Sequence, residues 1–257
     1  MQFIRYQHHT QISYGVLEGA AVSPLAGDPF GPVTRGARNV PLAEVTVLAP
    51  VTPSKIVVIG DNFTDRAREA GRPAPAVPIF GLKAPSAVIG PGAAIVLPPQ
   101  AQLVEHSAEL AVVIGRPARW VAPEDALRHV WGYTCANDVT ARDLVLADGQ
   151  WARGKSFDTF CPLGPAVSTL INPVDALIMG RVNGQTRQMT STHDMVFSVA
   201  QLIAYVSSVL TLLPGDVLLT GTPAGAGPLR AGDDVEVEIE GLGVLRNPVR
   251  AAPAADA

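Results

Sequence analysis

The sequence predicts a mixed α+β fold rich in strands, and three observations carry that reading. With 24 Gly and 23 Pro among 257 residues, turns interrupt the chain too often for long helices. The apolar runs are short and β-branched, as in SKIVVIG (54–60) and in ELAVVIG (109–115). One segment, THDMVFSVAQLIAYVSSVLTL (192–212), has apolar residues at helical spacing, with Val196, Val199, Leu202, Ile203 and Val206 on one face.

Bulk composition narrows the function classes. A hydrophobic content of 47% supplies the core of one large domain, with or without a small appendage. The net charge of -4 and the lack of any Lys/Arg run argue against nucleic acid and favour a small-molecule partner. Cys135 and Cys161 have no CxxC or Cys/His spacing and read as buried structural thiols. No apolar run reaches the roughly 18 to 20 residues of a membrane span, and the first residues lack a signal-length apolar core. A soluble protein of a reducing cytoplasm is expected.

Residues 1–50 contain short β-like pieces around a Pro/Gly-rich link and read as a small N-terminal subdomain. His8 and His9, adjacent and alternating, are expected on opposite faces. Residues 51–250 form the main domain, and 251–257 (AAPAADA) a disordered tail. Within the main domain SKIVVIG is a buried strand, followed by a polar helix, DNFTDRAREAG, that Asp61 or Asn62 would cap and Gly71 would end. Arg66 and Glu69 stand at i and i+3 on that helix and suit a salt pair. Lys83 falls in a loop before a GPG turn and reads as exposed.

The stretch from Leu103 to Pro165 gathers the chemistry. Glu109 opens a near-continuous apolar strand, where a carboxylate costs free energy unless it is exposed, paired or bound to a cation. APEDALRHVWGYTC gives a short helix and then a strand that delivers Asn137 and Asp138. Arg142 suits either a substrate carboxylate, held bidentately, or neutralisation of Asp138. RGKSFDTF brings Lys155 into a polar loop, the kind of place where chemistry concentrates. Farther on, NG at 183–184 marks a hairpin, and the TGTPAG loop offers N–H groups and the Thr222 hydroxyl to an anionic oxygen.

Taken in order, SKIVVIGDNF, ELAVVIG, GYTCANDVTARD, GKSFDTFCPLGP, VNGQTRQ, LLPGDVLLTGTPAG and GLGVLRNPV resemble the fumarylacetoacetate hydrolase family over residues 50 to 250. The resemblance implies a mixed β-roll with a few short helices, usually a homodimer, that acts on dicarbonyl or enolisable 2-oxo acid compounds. It also implies Mg²⁺ or Mn²⁺ held by three carboxylates, with no organic cofactor, and water activated by a His–Glu pair on a lid helix. By position, Glu109 and Asp138 match two metal carboxylates, Lys155 the lysine, Arg142 a substrate-side arginine and Thr222 the loop threonine. Gly221, Phe63, Val145 and Ser107 complete the expected substrate-binding set, and Arg66, Glu69 and Lys155 the catalytic one.

Three working positions depart from the pattern. Ser107 stands where the first carboxylate of Glu-x-Glu belongs, so metal is expected to bind weakly or not at all unless Glu105 or His106 substitutes. Arg66 replaces the lid histidine while Glu69 is kept, and an arginine does not take a proton from water. Val145 replaces a glutamine common three residues after the arginine. The expectation is therefore a non-hydrolytic enzyme of a specialised pathway that isomerises, tautomerises, decarboxylates or cyclises its substrate. The alternatives are a conventional metal-dependent acylpyruvate-type hydrolase or oxaloacetate decarboxylase, which would be EDTA-sensitive, and a binding protein without turnover.

Overall fold

The structure, a computed structural model, describes residues 1–36 and 38–253. Strands take 42% of the residues and helices 17%, so sheets set the architecture. Among the described residues the largest sheet runs, edge to edge, through Val40–Pro41, Ala21–Pro24, Gln11–Glu18, Gln2–His8, Cys161–Ser168, Val130–Asn137, Ala108–Ile114, Val217–Leu219, Ile56–Gly60 and Ile79–Lys83. The N-terminal strands thus extend the sheet that carries the central stretch: Gln2 pairs with Ser168 and Phe3 with Val167. A second sheet, Gln185–Ser191, Leu177–Val182, Asp234–Ile239, Gly243–Ala251 and Ile95–Leu97, packs against the first.

Strand alternation along the central strand separates two core layers. Along Ala108–Ile114, Leu110 and Val112 face a layer shared with Ile178, Val237 and the helix residues Leu202, Ile203 and Val206. Ala111 and Val113 face the opposite layer, with Ile56, Val58, Val217 and Leu219. The long helix is Val199–Val209, closed at its start by a capping box between Ser198 and Gln201. Val196 lies before it, so the helix begins later than periodicity suggests, where the Ser198 cap fixes the start.

Several local expectations change. His8 and His9 do not diverge: a turn with His9 at φ 53° brings their rings 4.2 Å apart. The lid helix, Thr64–Glu69, has Phe63 at its N-cap without a side-chain cap, because Asn62 is used elsewhere. Ala251 belongs to strand Gly243–Ala251, and the Ala252 N–H donates to the Leu97 carbonyl (3.0 Å), so the expected disordered tail starts in ordered sheet. Residues 254–257 of that tail lie outside the described residues. Cys135 and Cys161 are free and buried, and burial pushes both thiols up to about 12.

Candidate active site

Glu109 sits on the strand face of Ala111 and Val113, and Ser107 precedes it by two residues. The antiparallel neighbour Val130–Asn137 pairs Ala108 with Asn137, which delivers Asp138 just beyond its end. There the Asp138 N–H donates to the Ser107 carbonyl (2.9 Å), and the Ser107 N–H donates to Asn137 Oδ1 (2.9 Å). The two strand ends are thereby locked with Ser107, Glu109 and Asp138 together.

Two lysines share the Asp138 carboxylate. Lys83 Nζ donates to Oδ1 (2.6 Å) and to the Val139 carbonyl (2.8 Å). Lys155 Nζ donates to Oδ2 and to Thr140 Oγ1 (3.0 Å). Burial pushes the Asp138 carboxyl up, but the Lys155 and Lys83 ammoniums outweigh it and hold the group down at about 2. Burial pulls Lys155 below its ordinary range, with Asp138 opposing. Glu109 accepts from the Gly221 N–H (2.8 Å), yet burial, followed by the neighbouring Asp138 charge, raises its carboxyl well above the usual range.

The segment entering helix Thr64–Glu69 is pinned by Asn62. Asn62, fully buried, donates to the carbonyls of Thr220 (2.8 Å) and Phe197 (3.1 Å) and accepts from the Phe197 N–H (2.8 Å). On the helix that follows, Arg66 pairs with Glu69, and Glu69 also accepts from the Gly225 N–H (3.1 Å). Arg66 forms the salt pair expected from its i, i+3 spacing with Glu69 and also lines a cleft of about 350 Å³.

That cleft brings together most of the residues expected from sequence. Arg66, Ser107, Glu109, Asp138, Arg142, Val145, Lys155 and Thr222 all line it. Glu69 does not, being turned to Gly225. Gly221 stands behind Glu109 as its backbone donor. Phe63, expected to touch substrate, is fully buried among Val57, Ile59, Leu110 and Val199 and belongs to the core.

Four side chains have surroundings that differ from the local reading of the sequence. Arg142 does not neutralise Asp138; its Nε donates to Glu105 (2.8 Å) from the first turn of helix Arg142–Asp148. The Thr222 hydroxyl donates to the Ala108 carbonyl (2.9 Å) and accepts from Gln188 Nε2 (2.8 Å), so its proton is engaged within the protein. Lys155 ends a short helix, Ala152–Lys155, rather than lying in a loop. Lys83, read as exposed, is fully buried, because it stands opposite buried Ile56 on the inward face of strand Ile79–Lys83. Arg72, Asp61, Ile79 and Trp151 also line the cleft and were not singled out by sequence.

The fumarylacetoacetate (FAA) hydrolase C-terminal family model matches residues 55–250, and an Rv2993c-like N-terminal model matches residues 1–50. The chain belongs to the fumarylacetoacetate hydrolase family. It is 47% identical over 222 residues to the mitochondrial oxaloacetate tautomerase FAHD2A of Bos taurus, covering 81% of this chain and 71% of that one. The solved structure of 5-carboxymethyl-2-hydroxymuconate delta-isomerase from Mycobacterium smegmatis is 41% identical, with a TM-score of 0.93 over 98% of this chain and 100% of that chain. Maleylpyruvate hydrolase from Sphingobium sp. SYK-6, solved in complex with manganese(II) ion and pyruvate, is 30% identical, with a TM-score of 0.81 over 98% and 100% of the two chains.

A divalent ion held by three carboxylates does not fit the residues of this family member. Ser107 supplies a neutral hydroxyl at the first position, both Asp138 oxygens accept from lysines, and Glu109 Oε2 accepts from Gly221. Among the described residues no group of three His, Cys, Asp or Glu side chains is placed to hold an ion. Neither proposed substitute repairs the set. Glu105 is paired with Arg142, and His106 lines a different cleft, beside Arg187, Gly227 and Arg230. Ser107→Glu is therefore expected to raise Mn²⁺ affinity at least tenfold over the parent, read by isothermal titration, since affinity rises with carboxylate number. Equal affinity in parent and variant would contradict this account of the donor set.

His106 itself couples stability to acid. It is buried, its Nδ1 has no hydrogen-bond partner, and burial lowers it to about 4 against a side-chain Gln188 bond that raises it. An imidazole held neutral in the folded state stabilises above the unfolded value of about 6.5 and loses that contribution as pH falls toward 4. The parent is expected to lose on the order of 3 kcal/mol more than His106→Gln between pH 7 and pH 4, measured by urea unfolding. Parallel pH profiles would refute it.

Proposed function

We propose that this fumarylacetoacetate hydrolase family member moves a proton on an enolisable 2-oxo acid, tautomerising or isomerising it without attack by water. The observation that carries the reading is Arg66. It lines the cleft from the lid, at the position where hydrolysis needs a base, and a guanidinium does not accept a proton at neutral pH. The same cleft holds an ammonium where an enolate oxygen would develop charge. Lys155 is buried, aimed by Asp138 and Thr140, and backed by Lys83 on the far oxygen of the same carboxylate. A preorganised cation of this kind favours the enolate over the ketone from which it forms. The carboxyl of Glu109, which lines the cleft, carries the proton between carbon and oxygen. The tautomerase and isomerase relatives support the reading.

The test uses the enol of oxaloacetate, whose ultraviolet absorbance decays on ketonisation, with organic acids separated after the reaction. Acceleration of the decay without release of pyruvate is the expected result. Release of pyruvate, or an unaccelerated decay for every enolisable acid tried, would sink the reading.

A further inference from the structure

We infer that the natural substrate carries one carboxylate and an apolar tail, an aryl or alkyl 2-oxo acid rather than a dicarboxylate; this rests on the enolate reading above. Two independent features of the cleft point to it.

The first is an apolar wall that the chain has made room for. Gly60 pairs with Ile79 and Gly81 with Val58, so Gly60, Ile79 and Gly81 lie on one face of the sheet. Into the hollow left by the two glycines fits the Trp151 indole. A Cβ at Gly60 would stand 2.5 Å from Trp151 Cη2, and one at Gly81 would stand 2.8 Å from Cε3. Neither glycine has a positive φ, so close approach and not backbone conformation requires them. The same cleft is lined by Ile79, 44% exposed, and by Leu146, 74% exposed, and Val145 from one helix. A single exposed leucine needs no explanation. Four apolar side chains lining one polar cleft, one of them seated on two glycines, form a surface for a ligand to cover.

The second is the way the cations are already matched. Arg66 is paired with Glu69, Arg72 with Asp61 (2.9 Å) and Arg142 with Glu105 (2.8 Å). Each arginine of the cleft therefore has a carboxylate of the protein as its partner, and a second substrate carboxylate would have to displace one. Lys155 differs, because it shares its carboxylate with Lys83. The cleft thus offers one shared cation at its base and an apolar wall toward its mouth, the complement of a monoanion with a hydrophobic tail.

The experiment compares kcat/KM for the enols of phenylpyruvate and oxaloacetate in the parent and in Leu146→Lys, which alters an exposed side chain. Phenylpyruvate is expected to be favoured by at least about tenfold in the parent, the scale of discrimination an apolar contact supplies, and the ratio to fall about tenfold in the variant. Oxaloacetate favoured in the parent, or a ratio unmoved by the substitution, would overturn the inference while leaving the tautomerase reading intact. If neither enol is turned over, the tautomerase reading fails, and calorimetric binding of the two acids still decides. Tighter phenylpyruvate binding, weakened in Leu146→Lys, upholds the apolar subsite, and equal or weaker binding rejects it.

Discussion

Lys155→Ala is expected to lower kcat by about 10² to 10³-fold, the usual cost of removing one donor aimed at a developing oxyanion. The ammonium is buried and held by Asp138 and Thr140, so a substrate oxygen meets it without waiting for a side chain to reorganise. KM should change much less than kcat, because the interaction strengthens as negative charge develops. Lys155→Arg should not rescue activity, since a planar guanidinium cannot occupy the tetrahedral position between Asp138 and Thr140. Steady-state kinetics on an enol substrate, with unfolding curves to confirm the fold, provides the check. Wild-type kcat in Lys155→Ala would remove this lysine from the chemistry.

Lys83→Met should cost stability first. Its Nζ is completely enclosed and bonds both to Asp138 and to the Val139 carbonyl. Removing one partner of a buried ion pair typically costs about 3 to 5 kcal/mol, because the remaining charge stays buried. Here Lys155 still faces Asp138, so the lower end of that range, about 3 kcal/mol, is the expected loss in urea unfolding. The double variant Lys83→Met/Asp138→Asn should not recover it, since the buried Lys155 ammonium then loses its own carboxylate. A Lys83→Met protein as stable as the parent would mean that the lysine is not the buried counter-ion described above.

The residues that sequence located best are those whose position follows from one strand and its immediate neighbour. Glu109 and Asp138 read as strand-end acids because an apolar run leads out of one and into the other, and the hairpin pairing of Ala108 with Asn137 joins them. The N-terminal pieces, the NG hairpin and the long helix follow from turn chemistry and periodicity in the same way. What sequence left out depends on pairings between distant segments. Lys83 reaches Asp138 across 55 positions, and Arg142 finds Glu105 across 37. The seat of Trp151 needs the register between Ile56–Gly60 and Ile79–Lys83, which no local pattern contains. Phe63, expected among the substrate-binding residues, is claimed by core packing.

The pairing of the first strand with Cys161–Ser168 bears on how the chain reaches its native state. Met1 and Thr169, 168 positions apart, are joined by a hydrogen bond from the terminal amine to Thr169 Oγ1 (3.1 Å). During synthesis the N-terminal hairpin emerges early, but its partner edge emerges only after the candidate active-site segments have been made. Thr46–Leu48 covers Arg5–Gln7 on that edge, so until then only Gln2 and Phe3 lack their partner strand, and loop closure over such a distance slows the step that covers them. The pairing of Gln2 and Phe3 with Ser168 and Val167, which joins residues 1–50 to the strands carrying the chemistry, is therefore a late contact of the large sheet.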